Sequence, residues 1–261
     1  MTSASSPRPT SGPPFRVTGG RVVRGGEPVL EGINLTVGSG EFLSLLGENG
    51  SGKTTLLRAL VGLQPLTEGS VAILGQPVDR FTQWPRVGYV PQHLLASGAV
   101  PVSVREVVSA GLISPASRWR PRRGDHRQRM RTSLERVGLW GRRSDSFHTL
   151  SGGQQRRAMI AAALAKGADI LLLDEPTAGV DQENVAQLHD MLADLSDSGA
   201  TIVLVTHELG ALADLVSRVV VLGKRAGASV LYDGPPPPPA SLRDPHGHHD
   251  EPTADPGWSG A

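Results

Sequence analysis

Cysteine is absent from the 261 residues. Disulfides and cysteine–zinc sites are therefore excluded, and a reducing cytosol is a compatible setting. Net charge is close to zero, at +1, so there is no electrostatic footprint for nucleic acid and no such partner is expected. Lysine is scarce: it occurs only at Lys53, Lys166 and Lys224, and the remaining basic charge is arginine. No apolar run reaches the roughly 20 residues that span a bilayer; the longest, around "AMIAAALAKGADILLLDEP", is broken by Lys166, Gly167 and Asp169. The opening "MTSASSPRPTSGPPF" has no apolar stretch of the secretory kind. The chain is expected to be soluble, with docking on a membrane protein left open. A hydrophobic content of 38% against 20% charged residues suffices for a packed core, and the length allows one compound domain or two small ones.

Strand-like and helix-like segments alternate. "FRVTGGRVV", "INLTVGSGEFLSLLG", "SVAILG" and "RVGYVP" read as strands, with "KTTLLRALVGL" as a helix between them. From His93 to about Lys166 the character changes: "VSVREVVSAGL", "HRQRMRTSLERVGL" and "GGQQRRAMIAAALAK" read as helices. Strands then return as "ILLLDE", "TIVLVTH", "SRVVVLG" and "ASVLYDG", the first two separated by the helix "DQENVAQLHDMLADLSDSG". This pattern predicts an α/β fold with a mostly parallel central sheet, an antiparallel β edge region and an inserted helical subdomain. The expected organisation is a disordered leader over 1–14, a core over 15–91, a helical subdomain over 92–167, the rest of the core over 168–233, and a proline- and histidine-containing disordered tail over 234–261.

"GENGSGKT", Gly47 to Thr54, fits G-x-x-x-x-G-K-[ST] and stands between a strand and a helix. Its glycines let successive N–H groups face one anion, and the helix N-terminus adds a partial positive charge. Gly47, Asn49, Gly50, Ser51, Gly52, Lys53, Thr54 and Thr55 are the expected phosphate-binding residues, Lys53 reaching the β- and γ-phosphates and Thr54 ligating Mg²⁺. "ILLLDEP" supplies the partner chemistry. Asp174, at the end of an all-apolar strand, is a second Mg²⁺ ligand, and Glu175 is placed to accept a proton from an attacking water. A plain glycine turn and a solvated acidic loop are the competing readings; the two motifs together in this order favour nucleotide chemistry.

With "GENGSGKTT", "LSGGQQRR", "ILLLDEP" and "VTHE" in that order, the chain resembles the nucleotide-binding subunit of ABC transporters from about Phe15 to Gly234. The resemblance implies a P-loop ATPase core that binds ATP and Mg²⁺ and pairs head-to-tail as a homodimer when ATP binds. It implies that Ser151 and Gly153 of the signature face the γ-phosphate held by the partner subunit. Gln92 in "YVPQH" then matches a glutamine at the metal and attacking water, His207 in "VTHE" a histidine at the γ-phosphate, and Asp181 in "AGVD" an aspartate at the dimer seam. Two positions depart from the family pattern. Arg24 stands where an aromatic residue usually stacks on adenine; a guanidinium plane also stacks on a base. Arg156 replaces the second signature glutamine.

"RVGYVPQ", "PVSVREVV", "LERVGL" and "PTAGVDQEN" resemble subunits that drive zinc or manganese uptake. That likeness implies an ATPase on the cytoplasmic face of the cell membrane, bound to an integral permease that receives its ion from an external metal-binding protein. An ABC ATPase for another cargo, and a non-transport ABC ATPase, are the alternatives. In the tail, "HGHHD" gathers His246, His248, His249 and Asp250, donors suited to zinc. A solvated low-complexity tail is the competing reading there.

Overall fold

The run Ile170–Asp174 is a strand with every residue buried, which requires a place inside a sheet covered on both faces. The computed structural model describes residues 12–92, 102–112, 123–224 and 227–236. The elements in chain order are β1 (Phe15–Arg24), β2 (Glu27–Val37), β3 (Phe42–Leu46), α1 (Lys53–Leu60), β4 (Glu68–Ile73), β5 (Gln76–Pro77), β6 (Val87–Val90), α2 (Val104–Leu112), α3 (Arg123–Arg136), α4 (Gly152–Lys166), β7 (Ile170–Asp174), α5 (Gln182–Asp197), β8 (Thr201–Val205), β9 (Arg218–Lys224) and β10 (Ala228–Gly234). The strands form one 10-stranded sheet in the order β5-β4-β1-β2-β10-β9-β3-β8-β7-β6. From β9 to β6 all pairings are parallel. The other end is antiparallel, and β10 joins the two parts, pairing antiparallel with β9 and parallel with β2 through Ala228 and Leu30.

Alternation along the parallel strands divides the interior into two cores. Leu43, Leu45, Leu172, Val203 and Val220 face α1 and the antiparallel strands, packing on Leu56, Leu57 and Leu60. Phe42, Leu171, Leu173, Ile202 and Leu204 face α2, α3, α4 and α5. Strands sandwiched in this way carry apolar residues at nearly every position, as β7 does up to Asp174 and β8 does after Thr201. No helix among the described residues is long and apolar enough to cross a membrane.

The mixed α/β architecture, its mostly parallel sheet and its antiparallel part agree with the sequence reading. The first strand matches the segment read as "FRVTGGRVV" to within one residue. The second begins at Glu27, six residues before the "INLTV" that marks it in the sequence, after a turn at Gly25–Gly26. The register shift between Gly20↔Ile33 and Val22↔Leu30, with Gly32 at positive φ, interrupts the alternation there, so the ladder extends beyond the period-2 signal. The histidine tail and residues 1–11 lie outside the described residues.

One ion pair ties together the starts of two neighbouring parallel strands. Arg86, just before β6, is buried and its guanidinium grips Asp169, just before β7, through Nε at 3.1 Å to both carboxylate oxygens and through Nη2. Asp169 N also donates to Arg86 O at 3.1 Å. Removing one partner of such a pair strands the other charge. Asp169→Ala is expected to lower the unfolding free energy by about 2–4 kcal/mol in urea titration. A loss below about 0.5 kcal/mol would instead put this pair with ordinary surface ion pairs.

Candidate functional site

β3 ends at Leu46, and the chain turns sharply into α1. Gly47 has φ 147°, and a Cβ there would lie 2.3 Å from Leu222 O and 2.6 Å from Ser51 Oγ, so no other residue fits. Gly50 and Gly52 are left-handed, with φ of 80° and 83°. Gly52 is the N-cap of α1; no side chain caps the helix, and no acidic residue lies in its first turn. The first-turn N–H groups therefore face the loop with their donor capacity and partial positive charge available to an anion. Lys53 is buried, and its Nζ donates to Gly47 O and to Glu48 O, the latter at 2.7 Å. Burial pushes its pKa below the usual lysine value, while Glu175, Asp174 and Glu48 act in the opposite direction.

Next to this loop, Thr54 Oγ1 donates to Asp174 Oδ1 at 3.1 Å. Asp174 is 1% exposed, and its second carboxylate oxygen, Oδ2, is buried without a hydrogen-bond partner. Burial pushes this carboxyl above the usual aspartate range; the Thr54 bond opposes that, and Glu175 adds to it. A hydroxyl and a carboxylate side by side, one carboxylate oxygen unpaired, form a donor set that fits a hard divalent cation with few protein ligands. The phenol of Tyr89 lies near Arg58 and Asp174; its oxygen is buried with no partner at bonding distance, and burial raises its pKa.

Glu175 is one of two non-glycine residues at positive φ among the described residues, at 47°. This backbone costs on the order of 1–3 kcal/mol and persists only where its surroundings impose it. Its N–H donates to Val205 O at 2.8 Å. Its Oε2 accepts a hydrogen bond of 2.5 Å from Gln92 Nε2. His207 follows β8 and Thr206; its side chain is 54% exposed, and Nε2 lies 4.0 Å from Glu208 Oε1. The Thr206 hydroxyl donates to Glu208 O at 2.6 Å and shapes the turn.

One topological fact brings these residues to one edge. β3, β8, β7 and β6 are consecutive parallel neighbours, and Gly47, His207, Glu175 and Gln92 each follow the C-terminal end of one of them. Ligands of open parallel sheets bind at that edge.

The signature segment forms a second group. Ser151 caps α4: its Oγ accepts from Gln154 N at 3.3 Å, and Gln154 Oε1 accepts from Ser151 N at 3.1 Å. Asp181 caps α5, accepting from Asn184 N at 2.9 Å and holding the Asn184 amide as well. Arg157 Nη2 donates to Asn184 Oδ1 at 3.0 Å, which links the two capped helices. Arg24 stands at the β1–β2 turn, where its guanidinium donates to Gln64. Among the predicted residues, then, Lys53, Thr54, Asp174, Glu175 and Gln92 meet around the loop, while Ser151, Gly153 and Asp181 gather at the ends of α4 and α5. Sequence reasoning passed over the capping box, although S-x-x-Q at 151–154 is its signature. It also passed over Asn184 and Tyr89, for which composition and spacing hold no distinctive signal.

A family model described as "ABC transporter" matches residues 30–178. The zinc uptake system ATP-binding protein ZurA of Listeria innocua is 37% identical over 210 residues, covering 80% of each chain. The manganese transport system ATP-binding protein MntB of Bacillus subtilis is 35% identical over 200 residues, 76% of this chain and 79% of that one. Among solved structures, cbiO1 of Clostridium perfringens, part of the ABC transporter complex cbiONQ, superimposes with a TM-score of 0.74 at 28% identity, covering 86% of this chain and 89% of its own.

The buried carboxylate yields a prediction with a definite sign. A carboxyl whose folded pKa is raised destabilises the fold at pH above its usual range, because the ionised form is disfavoured there. Asp174→Asn is therefore expected to raise the melting temperature of the nucleotide-free protein at pH 7 by about 2–4 °C, with the gain fading as pH falls into the carboxylate range. The same variant is expected to lose the extra stabilisation that Mg²⁺-ATP gives over ATP alone. A lower melting temperature at pH 7 would contradict this reading of Asp174.

Proposed function

The chain belongs to the ABC transporter family, and on that premise we propose that it is the ATP-hydrolysing subunit of an importer of divalent metal ions, zinc or manganese. The observation that carries the hydrolytic part is the meeting of Thr54, Asp174, Glu175 and Gln92 beside the uncapped start of α1. The cargo rests on the named zinc and manganese relatives.

The triphosphate lies along residues 47–54, held by the loop N–H groups and the α1 N-terminus. Lys53 exchanges its bonds to Gly47 O and Glu48 O for the β- and γ-phosphates. Mg²⁺ would be held by Thr54 and Asp174, with Gln92 near it, and supplies neutralisation of the phosphate oxygens when bound. Glu175 accepts a proton from water as that water's oxygen attacks the γ-phosphorus and the bond to the β-phosphate oxygen breaks, giving ADP and phosphate. Lys53 and His207 stabilise the charge that develops on the transferred group.

Two copies close head-to-tail on two ATP molecules. Ser151 and Gly153 of each face the γ-phosphate bound to the other. The capping box supports this role: Ser151 Oγ uses a lone pair to accept from Gln154 N, so its proton is left to donate to a phosphate oxygen. ATP favours the closed pair through contacts that exist only there, and hydrolysis removes them. The permease docks on the cytoplasmic side in a groove of about 410 Å³ between α2 and α4, lined by Tyr89, Val102, Val107, Met159 and Lys166. Closure of the ATPase pair moves that groove and switches the permease toward the external binding protein.

Glu175→Gln keeps the size and hydrogen bonding of the side chain and removes the proton acceptor. Turnover is expected to fall by about 10²-fold or more, with ATP affinity retained and an ATP-dependent dimer accumulating in analytical ultracentrifugation. A variant that stays monomeric with wild-type turnover would contradict the scheme.

A further inference from the structure

α4 turns one face toward the segment that follows Glu175. Gly153, Arg156 and Arg157 form an i, i+3, i+4 set, and each meets residues 178–184. A Cβ on Gly153 would lie 2.8 Å from Asn184 Cβ and 3.0 Å from Val180 Cγ1, so helix and segment are in direct contact there. Arg157 Nη2 bonds to Asn184 Oδ1. Arg156 is buried, and its Nη1 donates to Ala178 O at 2.7 Å. Ala178 N donates in turn to Glu175 O at 3.3 Å. Two hydrogen bonds thus connect the Arg156 guanidinium to the backbone of the residue held at φ 47°.

Glu175 needs its surroundings to hold this conformation. Val205 O holds its N–H, Gln92 holds its carboxylate, and the Ala178 N–H holds its carbonyl. The first two contacts come from neighbouring strand ends. The third lies in a short turn beyond the end of β7, and Arg156 reaches that turn from α4 with a hydrogen bond to Ala178 O. Burial lowers the guanidinium pKa while the nearby Glu175 carboxylate raises it, so the side chain is kept in a costly place with a partner at its tip.

We propose that Arg156 is a positioning residue for ATP hydrolysis: by pinning Ala178 O it holds the 175–178 turn and sets the Glu175 carboxylate. Because Arg156 projects from the helix that Ser151 caps, it also ties that turn to the signature end of the same chain. A contact made at Ser151 then bears on the geometry of Glu175 through one rigid helix. This inference rests on the hydrolytic role of Glu175 argued above.

The test uses the purified full chain with Mg²⁺-ATP. Steady-state turnover, affinity for a fluorescent ATP analogue and thermal unfolding are measured together. Arg156→Met fills similar volume and cannot donate; it is expected to lower kcat about tenfold or more with nucleotide affinity changed by less than about twofold. Arg156→Lys, which keeps a donor, is expected to recover most of the loss. An unchanged kcat in Arg156→Met, or a lysine variant no faster than the methionine one, overturns the assignment. If Arg156→Met does not fold, Arg156→Gln, too short to reach Ala178 O, takes its place: a lower kcat at constant affinity supports the assignment, and an unchanged kcat or a joint loss of affinity overturns it. Glu175→Gln is run alongside. A wild-type rate in that variant overturns the role of Glu175 itself, whereas a slow Glu175→Gln beside a normal Arg156→Met overturns only the role of Arg156.

Discussion

The parallel register of β3, β8, β7 and β6 is the constraint from which the site follows. Once these strands are paired in that order, the residues just past their ends must share one edge of the sheet. The apolar strands need burial on both faces, and two cores supply it. The polar residues at the strand ends need no core of their own. A glycine-rich turn, a carboxylate pair, a glutamine and a histidine are therefore assembled from parts of the chain as far apart as Gly47 and His207 by strand pairing alone.

That assembly is held at some cost to stability. Asp174 keeps an unpartnered buried oxygen, Glu175 has a left-handed backbone, and Lys53 is buried against carbonyl groups. Each would be a defect in a purely structural protein, and their concentration at one edge is typical of a functional site. The surrounding structure compensates with rigid supports. The Arg86–Asp169 pair fixes the starts of β6 and β7, and the Asp181–Asn184–Arg157 chain of bonds fixes the starts of α4 and α5 relative to each other.

Much of this was legible in the sequence because its cause is local. A glycine-rich turn between strand and helix, an apolar run ended by Asp174 and Glu175, and the order of the motifs all depend on neighbours in the chain. α4 and α5 were readable for the same reason, each a continuous helical run stopped by a glycine, Gly167 and Gly199. β2 was read as starting only at Ile33, since the irregularity at Gly32, opposite Gly20, interrupts the alternation that marks a strand. Long-range contacts left no trace: nothing near Arg156 announces that it reaches Ala178, and nothing near Tyr89 announces that it lies by Asp174. Arg156 read only as a departure from the signature pattern, because its partner is a backbone carbonyl, which carries no residue identity. Arg24 read as a base-stacking candidate, and in the fold its guanidinium is bonded to Gln64.

ATP hydrolysis at this sheet edge is proposed to drive entry of a divalent metal ion. The most direct measurement is uptake of radioactive zinc and of manganese, in metal-depleted medium, by cells lacking this gene and by the same cells carrying either the wild-type or the Glu175→Gln copy. Uptake of one of the two ions is expected to be lost, to be restored by the wild-type copy, and not to be restored by the Glu175→Gln copy. Unchanged uptake of both ions in the cells lacking the gene, or restoration by the Glu175→Gln copy, would contradict this proposal.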